Sequence, residues 1–159
     1  MIQIVKDSDT RPWFFLQTAH TTYGMWVMET GHLEHLYYGE RITVVSQDPS
    51  SCAPLVIQRA FAPGNTCTYD REHPQISMED VCLEVGTLGK GDIREPFLEV
   101  RFADGSVTSD FTFDSYEIIT LKEREQCLQD SGLPHSYSEA GTDSAECLQI
   151  VLQDVTNHL

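Results

Sequence analysis

The sequence has few features that would indicate a disulfide-bonded, metal-binding or membrane protein. It contains five cysteines, an odd number, and no two of them form a Cys-x-x-Cys pair. Such spacing encodes neither a disulfide framework nor a zinc ribbon, so we expect small, semi-buried thiols in a reducing cytoplasm. The N-terminal segment has no long apolar block, and the sequence therefore predicts neither a signal peptide nor a membrane span.

Basic residues are also scarce. Ten Lys and Arg stand against 25 Asp and Glu in 159 residues, which gives a formal net charge of −15 at pH 7. A surface with this charge repels polyanions, so neither nucleic acid nor an anionic membrane is expected as a partner. The length is that of one domain, large enough to bury its own core.

Apolar residues alternate with polar ones more often than they recur at helical spacing, which is typical of β-strands. In residues 96–113 the pair Asp104-Gly105 separates two alternating stretches, and this predicts a β-hairpin closed by a tight primed turn. Further strands are predicted at residues 13–18, 22–28, 33–38, 40–45, 116–121 and 147–153. Many short strands indicate an all-β sandwich or barrel with antiparallel strands.

The remaining segments are expected to contain little regular structure. Residues 63–90 are polar and rich in turn formers, which predicts one long loop excursion. Residues 122–130 are good helix formers over one or two turns only, so helix is at most a minor component. The last predicted strand lies close to the final residue, and we expect the chain to be part of a longer protein.

Few residues are spaced as catalytic or metal sites require. His32 and His35 would share a face on a helix, but the sequence around them indicates a strand, where they face opposite sides and His35 is a hydrogen-bonded, partly buried residue. No carboxylates mark a catalytic pair, and the remaining histidines, such as His73, show no orienting carboxylate. Trp13 and Trp26 either pack in the core or offer a stacking surface to a sugar ring.

A more pointed pattern precedes residue 96. Gly89 and Gly91 give the backbone conformational freedom just before Asp92 and Arg94. These two residues alternate outward around Ile93. These two charged side chains either pair with each other or hold a neighbouring loop.

Seven motifs occur in the order and spacing of one known family. They are the TTY that ends at Tyr23, GHLEHLYYGER at 31–41, RAFAP at 59–63, GDIREP at 91–96, DGS at 104–106, GLP at 132–134 and ECLQIVLQD at 146–154. In this combination the chain resembles the N-terminal domain of family 36 α-galactosidases, over essentially its whole length.

The resemblance implies a β-supersandwich of the galactose mutarotase-like type that precedes a catalytic (β/α)₈ barrel and a small C-terminal β-domain, neither of which is present here. It implies a retaining hydrolase that removes terminal α-linked galactose from melibiose, raffinose and similar oligosaccharides, without metal or organic cofactor. The fragment itself would be non-catalytic. It would serve a homo-oligomer, packing near the barrel of the same or a neighbouring subunit.

The resemblance also assigns individual residues. Ile57, Gln58 and Arg59 match positions that reach a neighbouring subunit's sugar pocket, although Gln58 stands where the family commonly has Asp. A glutamine amide also binds hydroxyls, as both donor and acceptor. The residues that the motifs imply to be structural are His35, Tyr37, Gly39, Asp92 and Arg94.

Two alternatives remain open from the sequence. A free-standing carbohydrate-binding module would use Trp13, Trp26 or Tyr37 to stack on sugar rings. A related enzyme that acts on α-N-acetylgalactosamine or transfers galactose would share the same domain, because the absent barrel selects the substrate.

Overall fold

The computed structural model of the chain describes residues 1–6, 11–44, 48–60, 68–92, 95–120 and 146–156. Its strands are β1 (Ile2–Lys6), β2 (Pro12–Gln17), β3 (Thr21–Val27), β4 (Leu33–Glu40), β5 (Thr87–Leu88), β6 (Gly91–Asp92), β7 (Phe111–Thr120) and β8 (Glu146–Asp154). Short 3₁₀ turns lie at Pro49–Ser51, Ala53–Leu55 and Met78–Asp80. The described part contains no helix that is long and apolar enough to cross a bilayer.

The strands form two antiparallel layers. Strands β1, β2, β3 and β4 pair in sequence order as a four-stranded meander, and β7 pairs with β8 in a two-stranded ribbon. The short strands β5 and β6 pair in parallel. The prediction of an all-β sandwich with antiparallel strands is confirmed.

Strand β2 is buried on both faces, and this explains its continuous apolar run. Trp13 and Phe15 point to one face, where they pack with Val5 and Cys52. Phe14 points to the other face and is fully buried there. A strand with this pattern must be covered on both sides, because alternate side chains leave opposite faces of a sheet.

The ribbon of β7 and β8 covers the face to which Phe14 points, and the Trp13 face is the second one to be covered. The Phe14 ring lies 6.1 Å from that of Phe113 and 5.1 Å from that of Tyr116, the latter in an edge-to-face arrangement. Leu148 and Ile150 of β8 complete this part of the core. These aromatic and aliphatic contacts join the two layers of the sandwich.

Residues that follow β4 cover the second face. Ile42, Val44, Leu55 and Val56 are partly buried against Trp13 and its neighbours. Ile42 and Val44 precede the first 3₁₀ turn, Leu55 ends the second and Val56 follows it, so all four belong to segments without strand pairing. Hydrophobic burial therefore draws an irregular part of the chain onto the sheet.

A buried polar network ties the start of β4 to the ribbon. His32 Nε2 lies 2.7 Å from Asp110 Oδ1, and both side chains are almost fully buried. Tyr69 donates to Asp110 Oδ2 at 3.1 Å, and the Lys90 ammonium lies 3.3 Å from the same atom. Asp154 Oδ1 accepts from the backbone amide of Asp110 at 3.0 Å. Burial opposes ionisation of Asp110, but His32 and Lys90 outweigh it and lower the pKa of this carboxyl.

One predicted strand segment is wrong. Residues 41–44 do not continue β4, because the backbone of Ile42 hydrogen-bonds side chains instead of a strand. Its amide donates to Thr22 Oγ1 and its carbonyl accepts from Gln17 Nε2, at 3.1 and 2.8 Å. Strand β1 was not predicted, and the helical turns predicted at 122–130 lie outside the described residues.

The predicted hairpin at 96–113 forms only as a turn. Gly105 has a φ of 87°, and its amide donates to the Phe102 carbonyl. The Phe102 amide donates to the Ser106 carbonyl. The turn thus centres on residues 103 and 104, and its flanks are not strands. Leu98 instead bridges to Thr87 of β5, and the strand begins only at Phe111.

Phe14→Ala is expected to lower the free energy of unfolding by about 3–5 kcal/mol, because it removes a fully buried ring and leaves a cavity between the two layers. Urea denaturation of this chain measures the change. Phe97→Ala is the matched control, since Phe97 is 78% exposed, and it should shift the free energy by about 0.5 kcal/mol or less. Equal effects of both substitutions would contradict the described core.

Asp110→Asn provides a test of the buried network through pH. An Asp whose pKa is lowered in the folded state stabilises the fold above its unfolded pKa of about 3.9 and loses that contribution as pH falls through the folded value. The difference in unfolding free energy between the original chain and Asp110→Asn should therefore shrink as the pH falls below about 4. Asp114→Asn, on an exposed position, should show no such trend.

Candidate functional site

The candidate site is the segment that the family resemblance singled out, at residues 57–59. It follows the 3₁₀ turn Ala53–Leu55, and Val56 is already in extended conformation, with φ of −80° and ψ of 129°. Ile57 is 63% exposed and Gln58 is exposed as well, whereas Arg59 is half-buried. We call Ile57 and Gln58 the 57–58 tip.

Arg59 anchors one side of the tip to the sheet. Its Nη2 lies 2.5 Å from Glu34 Oε1, and the Glu34 side chain is only 1% exposed. The same nitrogen donates to the Asp80 carbonyl at 3.2 Å. A carboxylate buried in this way requires a cation and hydrogen bonds, so the Arg59 guanidinium is engaged within the domain.

Glu34 is held in turn by Trp26. The indole Nε1 donates to Glu34 Oε2 at 2.8 Å, and Trp26 and Glu34 are cross-strand partners on β3 and β4. The Trp26 ring packs against Trp13, with ring centroids 5.0 Å apart. The anchor is therefore part of the hydrophobic core.

The other side of the tip is held by apolar packing. Leu55 and Val56, which immediately precede Ile57, are partly buried against the cluster of Val5, Trp13 and Cys52. The chain is thus fixed on both sides of two exposed residues. Such an arrangement presents side chains to a partner with little further loss of backbone freedom.

The motif around Asp92 lies at the same corner of the domain. Strand β6, Gly91–Asp92, contacts the 3₁₀ turn Met78–Asp80, whose Asp80 carbonyl binds Arg59. The structure therefore brings the backbone of the two motifs close together. Arg94 and the side chain of Asp92 lie outside the described residues, so how their charges are paired stays a prediction.

The motif residues of β4 make defined contacts. His35 Nδ1 lies 3.1 Å from Glu84 Oε1, and Tyr23 donates to Glu84 Oε2 at 2.5 Å. Burial, together with the hydrogen bond and charge of Glu84, raises the pKa of Tyr23 above its ordinary value. His35 and His32 thus contact different carboxylates, and among the described residues no cluster could hold a metal ion.

The Tyr37 ring occupies the space beside Gly39. The Tyr37 hydroxyl donates to the Glu40 carbonyl at 3.0 Å and lies directly over Gly39. A Cβ atom at this position would be 2.6 Å from that hydroxyl oxygen, which is too close for any side chain unless the tyrosine moved.

Two of the three rings suggested for sugar stacking, Trp13 and Trp26, pack within the fold. Trp13 is 5% exposed, and Trp26 packs against it while its indole nitrogen binds Glu34. The interpretation of these tryptophans as core residues is therefore the one that the packing favours.

The sequence reasoning missed several polar contacts. Glu34, Asp110 and the role of His32 were not identified, because their partners are far away in the chain. The statement that His73 has no orienting carboxylate is wrong, since its Nδ1 lies 3.0 Å from Asp70. The Asp-x-x-His spacing of residues 70–73 could have indicated this pair. Asp70 also accepts from the His73 amide.

Comparisons with known proteins show the family of the chain. The family profile described as "Glycosyl hydrolase family 36 N-terminal domain" matches residues 31–159. The chain is 35% identical over 142 residues to the bifunctional alpha-galactosidase/sucrose kinase AgaSK of Mediterraneibacter gnavus, and 30% identical over 141 residues to the alpha-galactosidase AgaA of Geobacillus stearothermophilus. Each alignment covers 89% of this chain, but 14% and 18% of those relatives.

The solved structures give the same result for the fold. The crystal structure of the alpha-galactosidase from Lactobacillus brevis superposes with a TM-score of 0.69 at 25% identity, over 95% of this chain and 19% of the other. The chain thus spans less than a fifth of the relatives and the structure compared here. It belongs to the N-terminal domain family of glycosyl hydrolase family 36.

Proposed function

We propose that residues 1–159 are the N-terminal domain of a larger α-galactosidase, which hydrolyses terminal α-linked galactose with retention of configuration. Family membership supports this, together with the names of two relatives that are at least 30% identical. The substrates would be galactosides such as melibiose and raffinose. The catalytic carboxylates would belong to a barrel domain outside this chain, and no cofactor would be needed.

The proposed domain is itself non-catalytic. Two of its buried carboxylates are paired with basic side chains: Glu34 with Arg59, and Asp110 with Lys90. A general acid of a glycosidase needs a raised pKa, whereas the pKa of Asp110 is lowered by its partners. Paired carboxylates of this kind are suited to hold the fold.

The observation that carries the proposal is the exposed 57–58 tip on an anchored backbone. Gln58 has an amide that can both donate to and accept from sugar hydroxyls, and Ile57 offers an apolar surface beside it. We propose that the tip packs against the barrel of the same or a neighbouring subunit in a homo-oligomer and completes its sugar pocket. A group oriented in this way contributes to binding without taking part in bond cleavage.

We also place the protein in the cytoplasm. The described cysteines Cys52, Cys82 and Cys147 are all free thiols. Unpaired cysteines fit a reducing compartment.

Gln58→Ala in the complete gene product is expected to raise the KM for raffinose by about twofold to tenfold, because one hydrogen bond contributes about 0.5–1.5 kcal/mol. The kcat should change little, since the amide does not act on the reacting atoms. Steady-state kinetics with raffinose and with an aryl α-galactoside measure both constants.

Gln153→Ala is the matched control, because Gln153 is also an exposed glutamine but lies on β8. It should leave both constants unchanged. If the complete gene product does not cleave the aryl α-galactoside at all, the proposed activity is wrong. If it is active and Gln58→Ala has the KM of the original enzyme, the tip does not contact substrate.

A further inference from the structure

We propose that Glu34 is a positioning residue for substrate binding, because it fixes the 57–58 tip through Arg59. The inference rests on the proposed function, in which the tip completes a sugar pocket. Glu34 itself is 1% exposed and cannot touch a ligand, so any effect on substrate affinity must pass through the residues that it holds.

Both carboxylate oxygens of Glu34 are used. Oε1 accepts from Arg59 Nη2, and Oε2 accepts from the Trp26 indole at 2.8 Å and from Arg59 Nη1 at 3.4 Å. The two-point contact sets the orientation of the planar guanidinium as well as its distance. Since Trp26 is packed in the core and also binds Glu34, these contacts fix the orientation of Arg59 relative to the sheet.

Arg59 then joins the sheet to the neighbouring turn. Its Nη2 also donates to the Asp80 carbonyl, and the Asp80 amide is itself bonded to the Ser77 carbonyl at 3.0 Å. The backbone of Glu34 pairs with Leu83 just beyond that turn. Glu34 thus contacts Arg59 through its side chain, and through its backbone it pairs with Leu83, beyond the turn that Arg59 also contacts.

The position of Gln58 depends directly on this anchor, because the two residues are adjacent in the chain. A shift of the Arg59 backbone is transmitted to Gln58 without any intervening flexible residue. Apolar packing of Val56 fixes the other end of the tip but does not define how the amide of Gln58 is directed.

A purely stabilising role would not require a charge here. A buried ion pair contributes little net stability compared with well-packed apolar residues, whereas removal of one partner alone leaves an uncompensated charge. The pair is therefore suited to define geometry. This difference allows positioning to be separated from stability by experiment.

The test uses the complete gene product with two variants. Glu34→Gln keeps the shape and removes the charge, but it leaves Arg59 without its counter-charge and can unfold the domain. The double variant Glu34→Leu with Arg59→Met removes both charges together and avoids that penalty. Asp154→Asn is the matched control, since it also changes a fully buried carboxylate to its amide, on β8 and among contacts to Asp110 and Thr156.

Three quantities are measured for each variant: the thermal midpoint, the amide hydrogen exchange of residues 56–60, and the KM and kcat for raffinose. We expect the folded Glu34 variants to exchange faster at residues 56–60 and to raise KM by about threefold to tenfold, with kcat nearly unchanged. Asp154→Asn should lower the thermal midpoint without changing exchange at these residues or the KM.

The possible results separate the two proposals. If Gln58→Ala raises KM but the folded double variant keeps the original KM and exchange, Glu34 is not a positioning residue and the proposed function stands. If Asp154→Asn raises KM as much as the Glu34 variants do, the effect is general destabilisation and the inference is wrong. If Gln58→Ala leaves KM unchanged, the proposed contact of the tip with substrate fails, while hydrogen exchange still decides whether Glu34 fixes the tip.

Discussion

A strand that is apolar on both faces must be covered on both faces, and β2 imposes this condition on the whole domain. Phe14 requires the β7–β8 ribbon on one side, whereas Trp13 and Phe15 require a cover on the other. That second cover comes from the irregular segments around the first 3₁₀ turns. The 57–58 tip directly follows the residues that provide it, so the candidate site exists because the core needs this segment in place.

Buried charges also constrain the arrangement of the domain, because each one needs a partner. The chain is strongly acidic, yet three carboxylates of the described residues, Glu34, Asp110 and Asp154, are buried, and the first two are each compensated by one of only ten basic residues. Asp110 connects the two layers, and Glu34 connects the sheet to the tip. Since a buried charge is costly without partners, these contacts restrict the arrangement of the surrounding segments more than apolar packing alone would.

Local patterns predicted strands β2, β3, β4 and β8 well, missed β1, and predicted the irregular segments poorly. Strands β2, β3 and β4 lie within two residues of their predicted positions, because alternating side chains show directly which residues a sheet can bury. Residues 41–44 alternate in the same way but have no strand to pair with, since Gln17 and Thr22 take the hydrogen bonds of Ile42. At 96–113, a turn formed one residue earlier than the Asp104-Gly105 pair indicates, at residues 103 and 104, while Leu98 paired with Thr87 instead of the opposite flank.

The sequence by itself determined the all-β class and the family, because these follow from alternation and from motifs that are contiguous in the chain, and the family resemblance singled out the segment at residues 57–59. Only the tertiary structure decided what holds that segment. Glu34 and Arg59 are 25 residues apart, and His32 and Asp110 are 78 apart. No local pattern marks such pairs, since a charged residue is compatible with burial only when folding brings its partner to it.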